Sequence, residues 1–259
     1  MSLTFRWLGT AGIELTAADQ VLALDPFFTR PSVRQMFRPI IPDPALVASH
    51  LPRCNYVLVT HPHYDHILDV PAVLEQTGAV AYGSANTCRL LHTLGVSDAH
   101  VKLAQVGDQL NLGVFQVQVI RGQHSPIPFG WIFNGNLRAS LQPPLRVTDY
   151  RMDECLGYSI HVQGAHLLVC AADPQPADIV FAVAQESKGY FLKLLRQAQP
   201  HTLIPIHWDN FTRPLNKPVR RLSRPGRNSV AQISLRARQI LPRIKVIIPE
   251  IFKDYQFSA

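Results

Sequence analysis

Five short apolar runs in this chain each stop at or just before an aspartate or a histidine. Val21-Leu22-Ala23-Leu24 stops at Asp25-Pro26, and Tyr56 to Thr60 stops at His61-Pro62. Val114 to Arg121 alternates apolar and polar residues and stops before His124. Leu167 to Ala171 stops near Asp173-Pro174, and Thr202 to Ile206 stops at His207. Runs of this length and pattern read as strands. Between them, Val70 to Gln76, Asn86 to Leu94 and Ser187 to Gln199 read as helices; Gly78 and Gly95 end the first two, and Pro200 follows the third. Ser229 to Leu241 reads as a further helix with Arg236 and Arg238 outward. Strands alternating with helices predict a layered α/β fold. Polar strand ends predict a site where loops converge above a rigid sheet.

The run THPHYDH, Thr60 to His66, concentrates metal-binding side chains at one of these ends. Neutral imidazole and carboxylate suit zinc and other first-row divalent metals. His61 and His63 can point to one side only on an extended or turning backbone. Asp65 and His66 are adjacent and diverge, so a single tight loop can serve two metals. Pro62 fits such a loop, and Asp65 can cap the helix that follows. The layout is not the HExxH helix of zinc proteases. The other strand ends supply His124, Asp173 and His207 as further candidates. His50, His92, His100, His161, His166 and His201 lack a second ligand-like signal and read as structural.

With these residues, the chain resembles the metallo-β-lactamase superfamily. The resemblance begins at Trp7-Leu8-Gly9-Thr10-Ala11-Gly12 and ends at Ile204-Pro205-Ile206-His207-Trp208-Asp209-Asn210-Phe211. That last stretch is similar to the branch containing ascorbate-6-phosphate lactonase and related hydrolases. The resemblance implies a four-layer αββα sandwich with a dinuclear site at one edge of its two sheets. It also implies that His61, His63 and His124 bind the first metal, that Asp65, His66 and His207 bind the second, and that Asp173 bridges them. Asp25 is implied as the residue that orients a ligand histidine. Ala172 stands before Asp173, where the family often has Gly or Ser.

The cofactor expected is a pair of divalent ions, zinc first, with manganese or iron as alternatives. Two such ions can share a water and lower its pKa enough to give hydroxide near neutral pH. The expected function is therefore hydrolysis of a small ester, lactone or phosphoester, with Asp65 as the candidate catalytic carboxylate. No GxSxG elbow supplies a serine nucleophile, and Gly9-Thr10-Ala11-Gly12 lacks the ending of a phosphate loop and reads as a tight turn.

Two long connections, Phe27 to Pro52 and His124 to Cys155, are rich in proline; the second carries Pro128, Phe129, Trp131 and Phe133 and reads as an ordered rim. Phe129, Trp131 and Asp209 are candidate substrate contacts. The net charge of +7 is uneven: residues 213–245 hold ten Lys or Arg and no acid. That segment, with Arg220, Arg221, Arg224 and Arg227, could face an anionic small-molecule substrate, a nucleic acid or an acidic lipid surface. A nuclease on the same fold and a non-catalytic metal-binding interaction protein are the competing readings. A di-iron oxidoreductase is a further one, against which stands His63, where that branch is expected to carry Glu.

At 259 residues, 47% hydrophobic, with no short repeat or low-complexity linker, a single domain over 1–259 is expected. The start of the sequence has no basic segment followed by an apolar stretch, and no run of about 18 apolar residues occurs. Cys54, Cys88, Cys155 and Cys170 form no CxxC pair, which argues against a cysteine zinc site and a dense disulfide framework. The cytoplasm is the simplest compartment.

Overall fold

The computed structural model of the protein describes residues 2–127, 129–184, 187–221 and 230–257. The first half of the chain builds one sheet from β1 (Leu3–Gly9), β2 (Gly12–Ala17), β3 (Gln20–Leu24), β4 (Tyr56–Leu58), β5 (Val80–Gly83) and β6 (Val101–Leu103). The second sheet follows as β7 (Gln109–Leu112), β8 (Phe115–Arg121), β9 (Leu156–Val162), β10 (Ala165–Val169), β11 (Ile179–Val183), β12 (Thr202–Ile206) and β13 (Lys245–Val246). The chain then returns to the first sheet as β14 (Asp254–Phe257), antiparallel to β1. The strand orders are β14-β1-β2-β3-β4-β5-β6 and β13-β12-β11-β10-β9-β8-β7.

Period-two burial explains why the sheets stack. Phe5, Trp7, Leu15, Leu24 and Leu58 meet Phe115, Tyr158, Phe181 and Ile204 in a buried inter-sheet core. Phe5 and Phe181 pack edge to face across it, ring centroids 5.0 Å apart. The opposite face of the first sheet is covered by α1 (Pro44–His50), α3 (Val70–Thr77) and α4 (Ala85–Thr93). The second sheet is covered by α6 (Lys188–Ala198) and α7 (Val230–Ile240). In α6, Phe191, Leu194, Leu195 and Ala198 form the apolar stripe that a helix needs to bury one side. Ser187 caps it by accepting from Tyr190 N–H, and Gln199 ends it in a left-handed turn. The four layers αββα are thus present. Two short helices, α2 (Tyr64–Ile67) and α5 (Gly130–Phe133), sit in the loops of one edge.

All five expected strands form. Thr202–Ile206 has the expected bounds, and the others shift by up to two residues at an end. Strands β1, β2, β5, β6, β7, β9, β11, β13 and β14 carry no polar end signal and were not among the expected five. Strands β3 to β6 run parallel, as do β10 to β13, so their carboxyl ends gather at one edge of each sheet. Sites in such sheets form beyond those ends.

Candidate metal centre

Three of the residues just past a parallel strand take left-handed backbone: Asp25 at φ 44°, Cys170 at φ 55° and His207 at φ 56°. Non-glycine residues adopt this region at a cost, and such positions cluster at functional sites. Each turn bends the chain off its sheet toward the same cavity, whose volume is about 260 Å³. Main-chain bonds pin the two sheets together there. His207 N–H donates to Thr10 O at 2.7 Å, and Leu156 N–H donates to Thr60 O at 2.7 Å. The Tyr158 hydroxyl donates to Val59 O at 2.7 Å. The β1–β2 turn requires Gly9, because a Cβ there would stand 1.9 Å from Arg30 Nη2.

Past β4, the chain runs extended through His61 and His63 and then enters α2 with Asp65 and His66. The fold brings six side chains into two triads, His61–His63–His124 and Asp65–His66–His207; within each, the ligand atoms lie within 4.8 Å of one another. In the second triad Asp65 Oδ2 is 3.3 Å from His207 Nε2 and 3.8 Å from His66 Nε2. Ligands about 2.0–2.1 Å from a tetrahedral zinc stand ~3.3 Å apart, so this spacing suits a first-row cation.

A second set of hydrogen bonds aims the rings. Asp25, buried at the end of β3, accepts from Thr60 N–H at 2.7 Å, from the Thr60 hydroxyl at 2.6 Å and from His66 Nδ1–H at 2.8 Å. Because the Thr60 proton goes to Asp25, its oxygen accepts from His61 Nδ1–H at 3.0 Å. His63 Nε2–H donates to Phe133 O at 3.1 Å. Each of these three rings thereby keeps its other nitrogen as the available ligand atom. His61 Nε2 is buried and has no hydrogen-bond partner among the described residues, an arrangement a metal ion would satisfy. The donor set fits two divalent cations.

Electrostatics agrees with that fit. Burial, then the neighbouring imidazoles, pushes His61 well below its ordinary range and His124 down to about 3. His63 is lowered too, chiefly by burial. The first triad is therefore neutral and ready to ligate. Burial alone would raise Asp65, but His66 and His207 outweigh it and hold the carboxyl far below the usual range. Burial alone would lower His66, but Asp25 and Asp65 outweigh it and raise the imidazole to about 9.

A family profile described as a beta-lactamase superfamily domain matches residues 21–208, most of the chain. The chain belongs to the metallo-β-lactamase superfamily. A protein of Sinorhizobium medicae named a metal-dependent hydrolase is 29% identical over 124 residues, 48% of this chain and 48% of its own length. The chain thus spans about half the length of that relative. A protein of the same name from Pyrobaculum calidifontis is 21% identical over 216 residues, 81% of this chain and 85% of its own. The solved structure of Igni18, described as a metallo hydrolase from Ignicoccus hospitalis, covers 100% of both chains with TM-score 0.66 at 14% identity, a likeness of fold.

In this superfamily member, one expected ligand stays outside the site. Asp173 does not bridge the triads. Its side chain is 74% exposed and pairs with Lys193 Nζ at 2.9 Å. The cause is the path after β10. Cys170 turns left-handed, Ala172 N–H donates to Arg121 O, the Tyr190 hydroxyl donates to Ala171 O, and Lys193 donates to Ala172 O. These bonds draw Asp173 onto α6, and Cys170 lines the cavity instead.

Asp209 is not a substrate contact either. It is fully buried, lies 2.8 Å from Arg30 Nη2 and accepts from Thr10 N–H at 3.0 Å, so it anchors the β1–β2 turn. Phe129 and Trp131 do not line the cavity; they are exposed beside Ile127 and Phe133, which do. Of the basic segment, Arg220 and Arg221 are exposed and α7 covers the second sheet, while Arg224, Arg227 and Ser229 lie outside the described residues, as does Pro128. No cation of that segment lines the cavity among the described residues. The six histidines read as structural join neither triad. The fold also brings two cysteines that are distant in sequence together: Cys155 Sγ and Cys170 Sγ are 3.6 Å apart.

Several contributors escape sequence reasoning. Thr60, which ties Asp25 to two ligand rings, had a signal in its place directly before His61. Met36, Tyr64, Tyr150 and Phe211 line the cavity from four separate loops, and the apolar-run pattern that marks the strand ends does not single them out.

Proposed function

We propose that this protein is a dinuclear metal-dependent hydrolase of a carbonyl compound, a small ester or lactone. The observation that carries the reading is the pair of triads, largely buried, in which His61, His63 and His66 are each aimed by a second partner, with His61 Nε2 left open. Two divalent cations, zinc first and manganese or iron as alternatives, would polarise the scissile carbonyl and activate a water as nucleophile when bound.

The chain's own residues supply the rest. Thr60 and Asp25 fix the tautomers and orientation of His61 and His66. His66 and His207 hold the Asp65 carboxyl in its ionised form, so it serves as a ligand and as a hydrogen-bond acceptor that orients the attacking water. Tyr64, Phe133, Tyr150 and Phe211 wall the cavity and exclude bulk water, which strengthens every charge interaction within it. A substrate phosphate of the kind an ascorbate-6-phosphate lactonase handles would meet no Lys or Arg side chain among the described lining residues, which favours a neutral ester or lactone over a phosphoester.

The test is metal analysis of purified protein joined to a screen of esters, lactones and phosphodiesters. The reading expects close to two metals per chain and ester or lactone turnover that stops with a chelator and returns with zinc or manganese. Protein that takes up no metal and cleaves none of these compounds after zinc or manganese is added overturns it.

A further inference from the structure

The cavity is apolar within and its mouth is apolar without. Met36, Tyr64, Ile127, Phe133, Tyr150 and Phe211 line it, and no Lys, Arg or Glu does so among the described residues. Outside, the large exposed hydrophobic side chains concentrate on the two loops that supply Met36, Ile127 and Phe133. Val33, Phe37 and Ile41 stand on one, and Phe129 and Trp131 stand on the other. Phe37 is 78% exposed and Trp131 is 76% exposed. These are costly positions for aromatic rings unless something covers them, and exposed apolar side chains grouped on neighbouring loops mark an interaction surface.

The loops form one rim. Ile40 N–H donates to Leu145 O at 2.8 Å, and Pro39 pairs with Arg146 as a β-bridge. The cations of the rim lie on the first loop. Residues 27–52 contain Arg30, Arg34 and Arg38 against Asp43, whereas residues 124–155 balance Arg138, Arg146 and Arg151 with Asp149, Asp153 and Glu154, and Arg138 pairs with Asp149 at 3.7 Å. Arg30 is spent inside, on Asp209, but Arg34 and Arg38 are exposed on either side of Phe37 in the sequence, and Arg146 is exposed opposite Pro39. Aromatic rings interleaved with arginines match the boundary of a bilayer, where rings insert at the headgroup level and guanidinium groups meet anionic lipids.

We propose that this rim docks on the surface of an anionic phospholipid bilayer, so that the cavity opens toward the lipid phase and receives an apolar, uncharged substrate from it. The substrate part of this inference rests on the hydrolase reading; the docking part does not. Arg34 and Arg38 give the face cations for anionic headgroups, and it is continuous with a cavity that no Lys or Arg lines among the described residues.

The full-length, metal-loaded protein is sedimented with vesicles of phosphatidylcholine alone and with vesicles that also contain phosphatidylglycerol. Binding is expected to the mixed vesicles and to weaken with salt. Trp131 emission should shift to the blue on binding, since Trp7 is already buried and Trp208 stacks on it at 4.8 Å. Arg34→Gln with Arg38→Gln should weaken binding about thirtyfold, roughly fivefold for each arginine near the surface. Phe37→Ser with Trp131→Ser should abolish insertion while the unfolding midpoint stays that of the parent, because both side chains are solvent-facing. No vesicle binding by the parent, or binding unmoved in both double variants, overturns the proposal. Self-association of the parent that the Phe37→Ser, Trp131→Ser variant abolishes, without vesicle binding, assigns the rim to a second copy and overturns it too. Metal uptake and ester turnover, read on the same preparations after zinc or manganese is supplied, separate the two readings: metal and turnover without vesicle binding defeat the docking alone, and vesicle binding with neither metal uptake nor turnover defeats the hydrolase alone.

Discussion

Asp25 and His66 are 41 residues apart in the chain and meet at 2.8 Å, carboxylate to imidazole, beneath the metal centre. One sits where β3 ends and the other in α2, so the contact ties the first sheet to the ligand loop. Asp25 also takes both polar hydrogens of Thr60, and Thr60 in turn holds His61. One buried carboxylate therefore orients a ligand in each triad.

Removing that carboxylate should weaken metal binding at both triads. Asp25→Ala leaves Thr60 N–H, the Thr60 hydroxyl and His66 Nδ1–H without their acceptor, and buried donors without partners cost about 1–3 kcal/mol each. We expect metal affinity to fall about 10- to 100-fold, the usual effect of losing a partner that orients a ligand ring. Competition with a chromophoric chelator measures it. Unchanged affinity would show that the His66 and His61 rings hold their tautomers without help.

Asp173 and Asp65 should behave oppositely. Asp173→Asn loses only an exposed pair with Lys193, a contact of small worth. Its metal stoichiometry should equal that of the parent. Asp65→Asn should lose the metal of the second triad, because the amide carries no charge to balance the cation. Metal counting by mass spectrometry decides both. Loss of metal from Asp173→Asn would mean that residues 170–173 turn inward when metal binds.

These contrasts show what the sequence could and could not tell. The four side chains that THPHYDH gives to the two triads were readable because their chemistry is local: His61, His63, Asp65 and His66 are neighbours, and their spacing alone divides them between two sides of one loop. His124 and His207 were readable because each follows a strand, and strand ends are fixed by apolar pattern. The same logic failed at Asp173, since the direction of the chain after β10 depends on Tyr190 and Lys193 of α6, which lie 17 and 20 residues further on. It failed at Asp209, whose partner Arg30 comes from the other half of the chain. Strand ends carry the sheet's register, whereas turns beyond them answer to tertiary contacts that no local window contains. Nine strands without polar ends were invisible for a related reason: several are three to six residues long, and a short apolar run does not distinguish strand from helix.

The raised imidazole of His66 makes a signed prediction for chelator-treated protein. Its value of about 9 in the fold exceeds the ordinary 6.5, so the folded state binds this proton more tightly than the unfolded chain does. The resulting stability is fully present below pH 6.5 and is lost as pH rises through 9. A shift of this size corresponds to ~3 kcal/mol. Urea unfolding of the metal-free protein should therefore show stability falling across that window. The metal-loaded protein should not follow it, because a cation replaces the proton. Parallel curves for the two forms would refute the assignment.

Asp69 gives the opposite charge type and a second pH test. It is fully buried at the start of α3 and accepts from Phe28 N–H at 2.6 Å and Thr29 N–H at 2.7 Å. Burial raises its carboxyl from 3.8 to about 6, more than the Thr29 and Phe28 hydrogen bonds lower it. Between those two values the folded state holds a proton that the unfolded chain has released, so stability falls as pH rises from 3.8 to 6. Above that window the buried charge costs ~3 kcal/mol. An asparagine keeps an oxygen for the two backbone donors and carries no charge. Asp69→Asn should therefore be more stable than the parent at neutral pH, with the gap narrowing as the pH approaches 3.8. Denaturant titrations of both proteins across this range measure the gap directly. A variant that is less stable at every pH would mean that the charge on Asp69, not its oxygen alone, holds residues 28 and 29 against the first sheet.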